Sequence, residues 1–325
     1  MLYKDAGVDI DSLNLVKKGI GQEVVKTFRK NLKSEYGLFG GLYPMGNDYL
    51  IGSVDSVGTK ILVACAMSVH DTVGEDIVNH CINDILTTGA RPLFFMDYIG
   101  FSELEKKILV QIVKGVASAC RKERILLIGG ETAQLHRFYP KGVYDLVGFV
   151  VGTVHKKDYI DPMRIKQGNV ILGLKSSGLH TNGYSLARKV LLRKFTFTSY
   201  VPELKCTIGD ALLKIHLSYR WALQPRLRYI NGLAHITGGG FSDNIKRILP
   251  VNTAAIIKKK TWTPLPIFRL IQRLGGVPDE EMYRVFNMGL GMVIIIDQRK
   301  LKYFKPLEPY IIGEIVKGDF GVSLE

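Results

Sequence analysis

Cysteine is scarce in this sequence, four in 325 residues, and none is placed for an obvious task. Cys65, Cys81, Cys120 and Cys206 form no C-x-x-C pair, which argues against a thioredoxin-like motif and a zinc site of that type. They read as buried free thiols of a protein kept in the reducing cytoplasm. No apolar run approaches the roughly 20 residues that span a bilayer, so no membrane role is expected. The first eleven residues carry acid and lack an apolar stretch, so no secretory signal is read there. The seven histidines include no H-x-x-x-H pair, and no fixed-period repeat or low-complexity linker stands out. Three familiar nucleotide and nucleophile signatures are also missing. Gly58-Thr59-Lys60 has the wrong order and spacing for a P-loop, no G-x-G-x-x-G follows a strand, and there is no G-x-S-x-G elbow. Acid is in short supply: 30 Asp and Glu face 44 Lys and Arg, a net charge of +14 that calls for anionic partners. The bases are scattered and not interleaved with aromatics, so phosphorylated small molecules are preferred over nucleic acid.

What is present is ample for a core. Hydrophobic residues make up 46% of the chain and aromatics 10%, and the length favours two domains. Strand-like runs alternate with amphipathic helices, an α/β or α+β pattern. Strands are expected at 49–54, 125–128, 144–154, 169–174, 234–237 and 292–296. A helix is expected over 71–86, with Thr72 and Glu75 as a capping box and Gly89 as its stop. A second helix opens at Ser102 with Glu105. Pro, Gly and charge accumulate between Asp161 and Gly168, which sets the boundary between domains 1–165 and 166–325.

One pattern recurs: a short strand ends in a turn holding Gly with an acid or hydroxyl. Asp55 and Glu131 each follow a strand. Asp84 lies on the predicted helix, between Val73 and Cys81 on its apolar stripe at 3.6 residues per turn. A carboxylate there is costly unless paired, hydrogen-bonded or bound to a cation. A structural Asp satisfied by protein donors is one reading, and a Mg²⁺ ligand the other. His180 and His235 sit in Gly/Ser/Thr-rich turns, where a ring could either reach a ligand or serve structure alone. Phosphoryl transfer fits acids for a divalent metal beside turns able to hold phosphate.

At these same residues the chain resembles the aminoimidazole ribonucleotide synthetase, or phosphoribosylformylglycinamidine cyclo-ligase, family. The strings are Y-K-D-A-G-V-D-I-D at 3–11, V-D-S-V-G-T-K at 54–60, H-D-T-V-G-E-D-I-V at 70–78 and C-I-N-D at 81–84. They continue with G-A-R-P-L-F-F-M-D-Y at 89–98, G-G-E-T-A at 129–133, S-S-G-L-H-T-N-G-Y-S-L at 176–186, A-H-I-T-G-G-G-F at 234–241 and E-M-Y-R-V-F-N-M-G at 281–289. Each string is weak alone; their joint order and spacing are specific. The resemblance implies ATP-dependent closure of the imidazole ring of formylglycinamidine ribonucleotide, a C–N bond-forming ligase reaction. Phosphate activates the amide oxygen, and a nitrogen of the same substrate then displaces it. It implies ATP and Mg²⁺, with K⁺ left open, and a PurM-like fold of two α/β domains whose N-terminal sheets pair in a homodimer.

The resemblance also implies roles for particular residues. Asp55 and Asp84 are similar to the family's Mg²⁺–ATP carboxylates. Glu131, with Gly129, Gly130 and Thr132, would serve the nucleotide, as would Asp71 and Asn83. Gly58, Thr59 and Lys60 would approach the phosphates, and Lys4 would fold over the site and neutralise transferring charge. Ser177, His180, Asn182, His235, Gly238, Gly239 and Gly240 look like the substrate side, with His180, Lys60 and Lys4 closest to the chemistry. There are departures. Ser56 stands where the family has Gly, a strain of order 1 kcal/mol if the turn needs φ > 0. Gln134 replaces an acid. The L-x-P-T-R motif is matched only loosely by Leu223-Gln224-Pro225-Arg226-Leu227. Two alternatives are a sister kinase or synthetase on the same scaffold and a basic RNA-binding protein without catalysis. Intact Asp55, Asp84 and Glu131 weigh against the second.

Overall fold

A computed structural model of the chain describes residues 1–28 and 37–325. The strands are β1 (Gly41–Met45), β2 (Asp48–Ser56), β3 (Arg91–Phe101), β4 (Leu126–Gln134), β5 (Tyr144–His155), β6 (Val170–Lys175), β7 (Tyr200–Val201), β8 (Cys206–Thr207), β9 (Ile230–His235), β10 (Thr253–Ile257), β11 (Leu290–Ile296), β12 (Tyr310–Lys317) and β13 (Gly321–Leu324). The helices are α1 (Ile10–Lys26), α2 (Ile61–Met67), α3 (Asp71–Leu86), α4 (Lys106–Lys122), α5 (Tyr184–Leu191), α6 (Ile208–Leu212), α7 (Arg220–Leu223), α8 (Gly240–Lys246), α9 (Pro266–Gly275) and α10 (Asp279–Val285).

Two mixed sheets divide the chain. The first runs β1-β2-β5-β3-β4 and the second β13-β10-β12-β6-β11-β9, with β7 and β8 as a small separate hairpin. Alternation on β2 decides which face is covered. Ile51 and Ser53 are buried toward α3, while Val54 on the other face is 64% exposed. The open face continues along one register row, Val54 to Phe149 to Met96. All seven residues of β11 are buried, so both faces of the sheet are covered at this strand, which pairs with β6 on one side and the edge strand β9 on the other.

The helix α3 lies between the halves. Its apolar residues Val73, Ile77 and Cys81 are buried, yet so are Asp76, His80, Asn83 and Asp84. These recur at i, i+4 and i+7/i+8, one stripe of an α-helix, and that stripe is covered by the second half. Its other neighbour, α4, approaches so closely that a Cβ on Gly115 would lie 1.9 Å from Asp71 O and one on Gly74 2.3 Å from Ile112 O. Only glycine permits that spacing.

Both capping expectations fail. The N-cap of α3 is His70, so Thr72 lies inside the first turn, too late to cap; its hydroxyl is buried and unpartnered, while Glu75 accepts from Ser118 and Lys122. The second helix starts at Lys106, because β3 extends to Phe101 and the Ser102 hydroxyl is spent on Leu135 O. Nor does Ser56 carry strain: it ends β2, and the positive φ of that turn, 66°, belongs to Gly58.

Candidate active site

A cavity of about 1620 Å³ opens where the halves meet, with Ser53, Asp55 and Asp84 on one wall and Asn182, Thr237 and Gly238 on the other. The α1 helix contributes Asn14, Lys17 and Lys18, and the α8 region Asp243, Lys246 and Arg247. The lining therefore mixes both signs: Asp55 and Asp84 on the first wall, and Lys17, Lys18, Lys246 and Arg247 with Asp243 around them, a distribution suited to a metal-bound polyphosphate.

Asp55 and Asp84 converge on one imidazole. His80 Nε2 lies 2.8 Å from Asp55 Oδ2 and 3.8 Å from Asp84 Oδ2. Burial opposes the charge on His80, but Asp55, Asp84 and Asp76 outweigh it and hold its pKa at about 9. In turn burial works against the Asp55 carboxylate, and His80 more than reverses that, leaving its pKa depressed. Asp84 also accepts from Ser53 Oγ at 3.1 Å and meets His235 Nδ1 at 2.8 Å. The donors are hard carboxylate oxygens at the floor of an open cavity, so the pair fits Mg²⁺.

A second set of side chains lies beneath the floor. His216 Nε2 is 2.9 Å from His235 Nε2 and 3.2 Å from Asn83 Nδ2, and its ring stacks on His180 with centroids 4.0 Å apart. Thr181 Oγ1 bridges His80 Nδ1 (2.7 Å) and His216 Nδ1 (3.4 Å). Asn83 is itself fixed, donating to Leu217 O and accepting from Tyr219 N. His180 has φ 61°, an uncommon conformation for a buried non-glycine residue and of the kind that collects at functional sites. His180, His216 and His235 bring ring nitrogens within 4.8 Å of one another. The planes of His180 and His216 nevertheless lie at only 21°, so their in-plane lone pairs run side by side and do not converge as a metal cage requires.

Other residues singled out from the sequence lie elsewhere. Lys60 is fully buried, paired with Asp76 Oδ2 at 2.6 Å and donating to Lys214 O at 2.7 Å; it does not line the cavity. Burial pulls its pKa down and that of Asp76 up, each against the other's charge. A lysine sealed against an aspartate is a staple between the halves and does not reach a phosphate. Thr59 Oγ1 meets Ser185 Oγ at 3.2 Å. Lys4 is exposed in a short turn whose neighbours dock on the second half, Met1 on Gly275 O and Tyr3 N on Glu281. Gly129, Gly130, Glu131 and Thr132 lie on the exposed edge strand β4. Asp55, Gly148, Asp97 and Gly130 share one register row, so Glu131 is three strands from Asp55, roughly 14 Å at the usual strand spacing. Asp71 is exposed at the start of α3, and Asn83 is buried as an anchor rather than open to the cavity. Ser177 donates to Ile215 O. Of the glycines, Gly238 lines the cavity, while Gly239 and Gly240 (φ 92° and 60°) turn the chain into α8. The Leu223–Leu227 segment is away from the site, with Arg226 bound to Tyr303 O and Ala222 O; the segment that reaches it is Leu213–Leu217, through His216.

Sequence reasoning missed His80, His216, Asp243, Lys246 and Arg247. The signal for His80 was its position four residues before Asp84. Nothing local marked His216.

Residues 40–154 match the family described as AIR synthase related protein, N-terminal domain, and residues 166–324 its C-terminal domain. A phosphoribosylformylglycinamidine cyclo-ligase of Thermoanaerobacter sp. (strain X514) is 48% identical over 340 residues, covering 100% of both chains. The chloroplastic enzyme of that name from Arabidopsis thaliana is 42% identical over 99% of this chain and 83% of its own. Among solved structures, AaThiL complexed with AMPPCP and TMP superposes with a TM-score of 0.69 at 15% identity, over 94% of this chain and 92% of its own. The hydrogenase maturation protein HypE in complex with ATP gives 0.60 at 16% identity, over 87% and 83%.

Proposed function

Since the chain belongs to the AIR synthase related family, as a phosphoribosylformylglycinamidine cyclo-ligase of purine biosynthesis, we propose that the cavity between its halves is where ATP and formylglycinamidine ribonucleotide meet. The observation that carries this is the convergence of Asp55 and Asp84 on the floor of a cavity ringed by Lys17, Lys18, Lys246 and Arg247. At about 1620 Å³ it exceeds the usual 300–1,000 Å³ of one small-molecule site, which leaves room for two ligands. An amide oxygen is a poor leaving group and phosphate a good one, so the γ-phosphoryl group goes to the amide oxygen first. A nitrogen of the same molecule then attacks the activated carbon, the ring closes, and phosphate departs.

Asp55 and Asp84 would hold Mg²⁺, which supplies charge neutralisation at the triphosphate when bound. The protein's own part is orientation. The cations around the cavity fix the anionic ends of both ligands, and Asn182, Thr237 and Gly238 supply polar groups from the second half. His235, braced by Asp84, and His180 stand just behind this wall. Ring closure is intramolecular, so holding the substrate's two ends together supplies much of the rate. The domains would divide at 165/166.

A homodimer is the assembly we favour. The open sheet face presents Tyr43, Val54 and Phe149 to solvent, 62%, 64% and 36% exposed, and Leu126 and Ile128 of the edge strand are exposed beside it. An apolar face of this kind is what a second copy would cover. Glu131, too far from Asp55 within one chain, would then serve the nucleotide next to the paired sheets. Sedimentation at two concentrations tests the dimer; a monomer at both would remove it.

The deciding experiment measures ADP and aminoimidazole ribonucleotide released from ATP, Mg²⁺ and formylglycinamidine ribonucleotide, with thiamine monophosphate as the rival substrate. Stoichiometric release with the first alone is expected. ADP release driven by thiamine monophosphate would overturn the assignment.

A further inference from the structure

Beneath the cavity, His216 touches more of the site's machinery than any side chain that lines it. Its ring is fully buried and absent from the cavity wall, so it cannot meet substrate. Both of its backbone polar atoms are tied to α3: N donates to Asp76 Oδ1 at 2.7 Å, and O accepts from Asn79 Nδ2 at 2.8 Å. Asp76 is in turn locked by Lys60. Held this firmly, the ring makes three contacts of consequence: the 2.9 Å approach to His235 Nε2, the stack on His180, and the Thr181 bridge to His80. The result is one continuous chain, Asp55–His80–Thr181–His216–His235–Asp84, that leaves the first half from His80 and returns to it at the Asp84 carboxylate.

We propose that His216 is a positioning residue for the cyclo-ligase reaction, setting the ring orientations of His180 and His235 and, through His235, the carboxylate of Asp84. The strained backbone of His180 gives the stack a purpose, because a residue in the left-handed region persists only where its surroundings over-determine it. Likewise His235 has one nitrogen on Asp84 and the other on His216, so its plane is fixed from both ends. This inference rests on the reading that Asp84 faces the reacting ligands, with His235 bracing it from behind.

Two substitutions separate the stack from the nitrogen contact. His216→Phe keeps a flat ring against His180 and loses the approach to His235 and Asn83. His216→Gln can place an amide near the position of Nε2 but has no ring. Per folded chain, His216→Phe is expected to lower kcat by about 10–100-fold, the scale of a sub-ångström to ångström misplacement, with KM for either substrate moved less than about threefold. His216→Gln is expected to recover kcat to within about tenfold of wild type. Should Phe not fit, His216→Leu removes the same nitrogens at smaller volume and carries the same expectation. Wild-type kcat in all variants, or losses that only mirror a smaller folded fraction, would overturn the proposal. A readout independent of turnover is the NMR spectrum of ¹³C-histidine-labelled protein. The His180 ring signals should move in His216→Gln, where the stacked ring is gone, and the His235 signals in His216→Phe. Unmoved signals in both would also overturn it. Absence of turnover in the wild type would instead sink the cyclo-ligase reading, and the NMR comparison would still report on the positioning.

Discussion

Replacing His80 by Gln should change how stability depends on pH, and the size of the change follows from the site. His80 is 2% exposed, and its pKa stands at about 9 against an ordinary 6.5. A tenfold change in proton affinity is worth about 1.4 kcal/mol, so the full shift corresponds to about 3–4 kcal/mol. That is an upper bound, because the side chain of its main partner, Asp55, is 43% exposed and screened by solvent; about 1–2 kcal/mol is the working expectation. The sign is fixed by the direction of the shift. A group whose folded pKa is raised stabilises fully below its unfolded pKa and loses that contribution as pH climbs through the folded value. The wild type should therefore exceed His80→Gln by about 1–2 kcal/mol near pH 6, and the gap should close between pH 6.5 and about 9. Urea denaturation of both proteins at half-unit steps from pH 6 to 9.5 measures it, and subtracting the two curves cancels the titrating groups that do not sense the His80 charge. Parallel curves across that window would refute the reasoning, because they would mean that His80 carries no charge between the two carboxylates.

Asp84→Asn should abolish Mg²⁺-dependent turnover, at least about 100-fold in kcat, while its circular dichroism stays that of the wild type; near-normal activity would remove Asp84 from the metal site. Lys60→Met should cost about 3–5 kcal/mol in chemical denaturation, because Asp76 is left buried without its cation, and adding Asp76→Asn should recover part of it. Activity per folded chain should fall far less than stability, since Lys60 does not line the cavity. Gly115→Ala should lower stability by about 1–3 kcal/mol by forcing α4 off α3, with a matching fall in thermal midpoint.

Much of the fold was legible because its signals are local. The strand runs from Tyr49 and Tyr144 and the helix 71–86 are where periodicity puts them. Helix starts were less readable: Thr72-Glu75 and Ser102-Glu105 have the composition of capping boxes, but the chain enters each helix at a different residue. The site was half legible. Asp84 was conspicuous as an acid on an apolar stripe, and the same helical geometry links it to His80 and Asp76, four and eight residues earlier. Lys60 shows the opposite limit. Its motif suggests phosphate, and only the tertiary structure shows that Asp76 has claimed it. His216 could not have been found, because what matters about it is made by residues 35 and 19 positions away and by the packing of the other half.

The polar stripe on α3 ties the fates of the two halves together. Each of its groups is answered from beyond residue 170: Asp76 by the His216 amide, His80 by Thr181, Asn83 by Leu217 and Tyr219, and Asp84 by His235. Severed from its companion, the first half would expose a face it cannot hydrate and keep its apolar neighbours dry at once. Because the partners of Asp76 and Asn83 are main-chain atoms, which no substitution can alter, a replacement at either position leaves a buried polar group that no side-chain change across the seam can answer in kind.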